Sequence, residues 1–231
     1  ITNPKTGVTS VTNAASFEGG RNTETDDEFR ARYYVSTDFA GGVNLDAIIA
    51  AIYENVEAVI AVTGEENDTD ETNASGLPPH SIELVVYGGL DEEIAKAIHR
   101  RKGAGIQTFG NVTVPVVDAA GNIKNISFSR PAPVNVWVRV FNLQTDNTFP
   151  LDGIEQIKQR LTEYIGSDTR GGLNIGQNVI CVALPTEVFK VQGVVDFDLQ
   201  ISPDGEAYSW QNITIAAREK AVTNEDMVMV E

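Results

Sequence analysis

Apolar residues along this chain change their spacing repeatedly, and no single period lasts long enough for an all-helical or an all-β protein. Leu45, Ile48, Ile49 and Ile52 fall at the positions that put one continuous stripe on one side of a helix. Val195, Phe197, Leu199 and Ile201 instead alternate with Asp196, Asp198 and Gln200, which predicts a strand with one inward face. Interleaved in this way, the two periods predict an α+β chain in which helices cover one face of a small sheet.

Local signals place the elements. T-D-D-E at residues 25–28 is a capping box, so a first helix is expected from there through F-R-A-R-Y-Y-V-S-T-D-F to Gly41 and Gly42. Asn44 caps a second helix. D-E-E-I-A-K-A-I-H-R-R-K-G has acids first and bases last, in line with the helix dipole, and Gly103 is its expected terminator. In G-I-E-Q-I-K-Q-R-L-T-E-Y-I-G, Ile154, Ile157, Leu161, Tyr164 and Ile165 share one side, and Gly166 closes the helix. V-E-A-V-I-A-V-T-G and S-I-E-L-V-V-Y-G-G read as strands, and Asp118, Gly121 and Asn122 supply the turn of a hairpin between N-V-T-V-P-V-V-D and I-K-N-I-S-F-S-R-P. P-V-N-V-W-V-R-V-F-N-L reads as one strand with Val134, Val136, Val138 and Val140 on one face and Trp137 and Phe141 on the other. Short strands are expected near N-I-T-I-A and D-M-V-M-V. The two prolines of R-P-A-P at 130–133 mark the candidate boundary between units 1–130 and 131–231, each a small mixed or antiparallel sheet with packed helices.

Charge and composition exclude several classes. Asp and Glu total 33 against 17 Lys and Arg, a formal charge of −16, which argues against nucleic-acid binding because phosphates need a clustered basic face. The single cysteine, Cys181, permits no internal disulfide and no multi-thiolate metal cage, and a reducing compartment fits. No apolar run reaches the roughly 20 residues of a membrane span, so no membrane partner is expected. The start I-T-N-P-K-T-G lacks Met, which reads as a fragment or a processed chain. The Asn-x-Ser/Thr sequons at Asn67, Asn73, Asn111, Asn125 and Asn212 read as by-products of an Asn- and Thr-rich sequence.

G-E-E-N-D-T-D-E-T-N-A-S-G-L-P-P-H-S, residues 64–81, is the densest acidic stretch and the first place to look for chemistry. A helix-loop-helix calcium site fails there: counted from Asp68, Asn73 stands where a glycine is needed and Pro79 where a bidentate Glu is needed. A looser cation site, a basic partner and a solvated connection between strands remain as readings of Glu65, Glu66, Asp68, Asp70 and Glu71. His80 and His99 share no metal-binding spacing. Cys181 lies in the apolar run V-I-C-V-A-L and reads as a small buried hydrophobe. Arg100, Arg101 and Lys102 read as a complement to a helix C-terminus. K-G-A-G-I-Q-T-F-G follows a helix instead of opening one and so is no phosphate cradle. No catalytic, cofactor-binding or metal-ligating residue is assigned, and Trp210 alone suggests an aromatic sugar platform.

Taken in order, E-T-D-D-E-F-R-A-R, N-L-D-A-I-I-A-A-I, V-E-A-V-I-A-V, G-L-P-P-H-S-I-E-L-V-V-Y-G-G, I-A-K-A-I-H-R-R-K-G-A-G-I-Q-T-F-G and I-S-F-S-R-P-A-P-V resemble the baseplate J family of contractile phage tails and related prophage particles. The likeness covers about residues 17 to 145, and V-Q-G-V-V-D-F-D is a shorter signature of that family's C-terminal region. The resemblance implies a structural protein, not an enzyme, that needs no cofactor. Two copies would sit in each wedge around a six-fold ring, with other baseplate and tail proteins as partners and self-association in the assembled wedge. It also implies a place in the virion tail baseplate, assembled in the bacterial host cytoplasm. Family members carry a further N-terminal segment. The alternative is a carbohydrate-binding or adhesin module of a tail or cell surface.

Overall fold

The computed structural model describes residues 44–231, and the helix expected from residue 25 lies outside the described residues. Helix α1 (Leu45–Asn55) begins where expected, with the Asn44 side-chain oxygen accepting from the Ala47 amide at 2.9 Å. Ile48 and Ile52 are buried on its stripe, while Leu45 and Ile49 flank the same core. Strands β1 (Val59–Asn67) and β2 (Ser81–Gly88) pair antiparallel, and helix α2 (Asp91–Arg101) returns the chain to β3 (Gln107–Phe109), which lies parallel to β2. The expected glycine stop of α2 shifts. Gly103 does not take a positive φ; Lys102 caps the helix in extended backbone and Gly105 makes the left-handed turn.

The hairpin β4 (Val112–Val117) and β5 (Ile123–Phe128) closes through Asp118, whose carboxylate accepts from the Ala120 and Asn122 amides. Gly121 supplies the positive φ of that turn. Immediately after β5, Ser129 exchanges backbone hydrogen bonds with Leu84 and Val86, which fastens the hairpin to the edge of β2 beyond β3. Ile52, Leu84, Val86, Ile94, Ile98, Ile126 and Phe128 meet in this first core. Each such side chain fully removed from water contributes roughly 2 kcal/mol.

The second half has a core of its own. The long strand expected over P-V-N-V-W-V-R-V-F-N-L is two: β6 (Ala132–Asn135) pairs parallel with β9 (Glu219–Val222), and β7 (Trp137–Thr145) pairs with β8 (Val194–Ser202) and β10 (Val228–Val230). Val136 stands between them, its amide donating to Val222 O, so one run of valines serves two sheets. Val136, Val138 and Val140 do share one fully buried face, as their alternation requires. Helix α3 (Gly153–Ile165) seats Ile157, Leu161 and Ile165 in this core, but Ile154 is exposed. A 3-10 turn (Cys181–Ala183) leads into the short helix α4 (Leu184–Val188), which the apolar run around Cys181 did not announce. In β8 the expected alternation holds at Leu199 and Ile201 and breaks at Val195, which is exposed. Val194 packs inward instead, because the ladder with β7 shifts register between Gln144 and Thr145. N-I-T-I-A forms only a bridge, Val179 to Ile213, whereas E-K-A-V, not expected as a strand, is β9.

The fold is α+β, with small mixed and antiparallel sheets and packed helices. No helix among the described residues is long and apolar enough to cross a membrane.

Candidate functional site

The acidic stretch is more ordered than a solvated connection, and it is shorter. β1 continues through Asn67, so Glu65 and Glu66 are strand residues paired opposite Glu83 and Ile82, and the true connection is residues 68–80. Its centre is Asn67, which is 3% exposed. The Asn67 amide donates to the carbonyls of Glu71, Leu77 and Pro78, and its oxygen accepts from the Thr69 amide and hydroxyl. Asn73 repeats the device with the Ser75 and Leu77 amides, and Leu77 is wholly buried beneath them. Glu66, Asp68, Asp70 and Glu71 are exposed, whereas Glu65 is half-buried and accepts from the Asn73 side-chain amide at 2.7 Å. Asp70 meets the exposed His80 at 2.9 Å, and no group of three or more His, Cys, Asp or Glu side chains among the described residues is placed to hold a metal.

That division of roles gives a contrast in stability. Replacing Asn67 by Ala strands three carbonyls and should cost about 2 kcal/mol. Neutralising Asp68, Asp70 and Glu71 together should leave the melting temperature nearly unchanged, with or without calcium, because exposed ion pairs contribute under about 1 kcal/mol. A large calcium-dependent rise in the melting temperature of the unaltered protein would contradict the second expectation.

The other sequence candidates scatter. Cys181 is buried in the second core, where desolvation raises its thiol pKa and makes it inert. His99 lies on α2 with Nδ1 buried and without a partner among the described residues. Lys102 donates to Ile106 O in the turn after the helix, while Arg100 is exposed. Trp210 is 54% exposed, but Tyr208 beside it has its hydroxyl buried.

The polar chemistry is concentrated instead where the two cores meet. β2 is buried on both faces from Ser81 to Val86: Ile82, Leu84 and Val86 face α1 and α2, while Glu83, Val85 and Tyr87 face the second half of the chain. Val85 packs with Ala61 against Ile175. Glu83, 2% exposed, receives the guanidinium of Arg218 at 2.6 to 2.9 Å and the hydroxyl of Ser129. The hydrogen bond to Glu83 raises the Arg218 pKa further, so the guanidinium stays charged at any ordinary pH. Tyr87 donates to Asp168 at 2.6 Å; burial, then the hydrogen bond and charge of Asp168, push its phenol up.

Lys220 on β9 completes the junction. It is wholly buried, donates to Gly171 O and Leu173 O at 3.1 and 2.8 Å, and sits 5.6 Å from the centre of the Tyr87 ring. No carboxylate among the described residues contacts its ammonium, and desolvation lowers its pKa to about 8. Arg130 ties the same region from outside, donating to Val86 O, Gly88 O and Gly89 O and to the Asp91 carboxylate at the start of α2.

An open cleft of about 690 Å³ adjoins this junction, between the C-terminal half of α3, the loop after it, β6 and residues 222–227. No family model matches the chain, and no curated protein matches it.

The sequence did carry a signal for the junction. Glu83 interrupts the apolar run of S-I-E-L-V-V, and an acid at the middle of a strand buried on both faces needs a cation. Its partner is 135 residues away in A-A-R-E-K, a segment with no periodicity to mark it.

Proposed function

We propose that this protein is a structural component of the baseplate wedge of a contractile phage or prophage tail, where it links other tail proteins around a six-fold ring. One observation carries the reading: among the described residues, most of the segments that resemble the baseplate J family fall on the framework of the first core. G-L-P-P-H leads into β2, S-I-E-L-V-V-Y-G-G is that strand, Ile94, Ala95, Ala97 and Ile98 of I-A-K-A-I are the buried face of α2, and G-I-Q-T-F-G carries β3. The same β2 also presents Glu83 and Tyr87 to the second half, so the resembling segment couples both halves into one body. A protein that transmits force between partners needs such coupling, and needs partner surfaces more than a convergent reactive pocket.

The full-length chain, co-expressed with the products of adjacent tail genes, should form complexes with two copies per wedge, read by native mass spectrometry. A protein that stays monomeric in the presence of every neighbour overturns the proposal.

A further inference from the structure

Among the described residues β1 is an edge strand, with β2 on one side and no strand on the other. The direction of its free backbone follows from its neighbour. In an antiparallel pair, opposed residues alternate between those that exchange hydrogen bonds and those that turn their amide and carbonyl away. Leu84 and Val86 bond to Ser129 on the far side of β2, so Gly64 and Val62, which stand opposite them, turn their own backbone outward, and Glu66 does so by the same alternation. The Val62 amide donates to the Tyr53 hydroxyl at 2.9 Å. The amides and carbonyls of Gly64 and Glu66 have no partner among the described residues. Both are within reach: Glu66 is exposed, and the partial exposure of Gly64, which has no side chain, belongs to its main chain.

A groove of about 450 Å³ adjoins this stretch of edge. Its floor is the face of β1 and β2 turned away from α1, with Thr63, Glu65 and Val85, and its far wall is Ala216, Ala217 and Arg218. On the opposite face of β1, Val62 and Leu45 are half-buried against the first core. A strand edge with a side-chain groove on one face and apolar side chains on the other fits an extended peptide, whose main chain supplies affinity and whose alternate side chains supply selectivity.

Charge chooses among the extended segments that could lie there. Glu65, in the groove, accepts from the neutral Asn73 amide, while Arg218 gives its hydrogen bonds to Glu83 and to Ser75 O. A second copy of the chain would lay its own Glu65 and Glu66 along this edge, each copy bearing a formal charge of −16, and like charges across a strand pair destabilise it. A segment that alternates basic and apolar residues has the complementary pattern, with its bases toward Glu65 and its apolar side chains toward Val62 and Leu45. We propose that β1 accepts such a segment of a partner protein as an added strand, bonded to the backbone of Gly64 and Glu66. The edge serves this purpose whether or not the chain belongs to a tail baseplate, so the two experiments fail separately.

The test titrates the heptapeptide K-V-K-V-K-V-K, blocked at both ends, into the isotopically labelled full chain at about 0.15 M salt, where attraction beyond roughly 8 Å is screened. Amide proton exchange at Gly64 and Glu66 should slow about tenfold in excess peptide. The same peptide with its internal amides N-methylated keeps every charge and loses its backbone donors, and it should bind about tenfold more weakly or worse. Glu65→Gln keeps an oxygen to accept from Asn73 but removes the charge in the groove, and should weaken the parent peptide about fivefold. No binding, equal affinity of the two peptides, unchanged exchange at Gly64 and Glu66, or indifference to Glu65→Gln each overturns the proposal.

Discussion

Replacing Arg218 by Ala is expected to destabilise the protein by about 3 kcal/mol or more, the cost of leaving a buried carboxylate without its cation. Glu83 cannot turn to water, since its side chain is 3% exposed at the centre of β2, and its remaining donor among the described residues would be Ser129. The reverse replacement should be milder. With Glu83→Gln, the Arg218 side chain, 43% exposed, can hydrate where it stands and keep its bond to Ser75 O, so a loss of about 1 kcal/mol is expected. Combining Arg218→Ala with Glu83→Gln should recover much of the first loss, because the charge that needed a partner is gone. Urea unfolding of the three variants measures all of this. Should Glu83→Gln prove as damaging as Arg218→Ala, the energy would lie in packing around the pair and not in the stranded charge.

That asymmetry also explains what could and could not be read from the chain. Helices α1 and α3 were visible because their apolar stripes and caps are local, set by residues three and four apart. The break at Val136 was not, because Val134 through Val140 alternate without interruption; what divides them is the demand of two different partners, β9 and β8. β9 was missed for a related reason. E-K-A-V carries Glu219 and Lys220, residue types depleted from strands, and only the buried carbonyls of Gly171 and Leu173 make a lysine acceptable there. The acidic stretch misled in the opposite direction: its charges suggested a wet connection, while the asparagines between them, Asn67 and Asn73, tie it down. Local pattern located the elements, and long-range polar partners decided how they join.

Lys220 should give the protein an unusual response to pH. Its folded pKa, about 8, lies below the 10.5 of a free lysine, so the folded state releases the proton first. Between those values the unfolded chain holds more protons, and stability therefore rises with pH across that window, the opposite of a lysine held by a carboxylate. Below pH 8 the full burial penalty is present; above 10.5 it is gone. Tyr87 limits the useful range, because its raised pKa opposes the gain once unfolded tyrosine ionises near 10. From pH 8 to 10 the gain should be roughly 2 kcal/mol, since each unit of pKa difference corresponds to about 1.4 kcal/mol. Lys220→Met supplies the comparison. It removes the charge but also the donor to two buried carbonyls, so its stability near neutrality should differ little from the parent, while the rise with pH disappears. Chemical denaturation of both proteins at several pH values separates the outcomes: diverging curves above pH 8 place the titration at Lys220, and parallel curves would mean that its ammonium is as comfortable in the junction as in water.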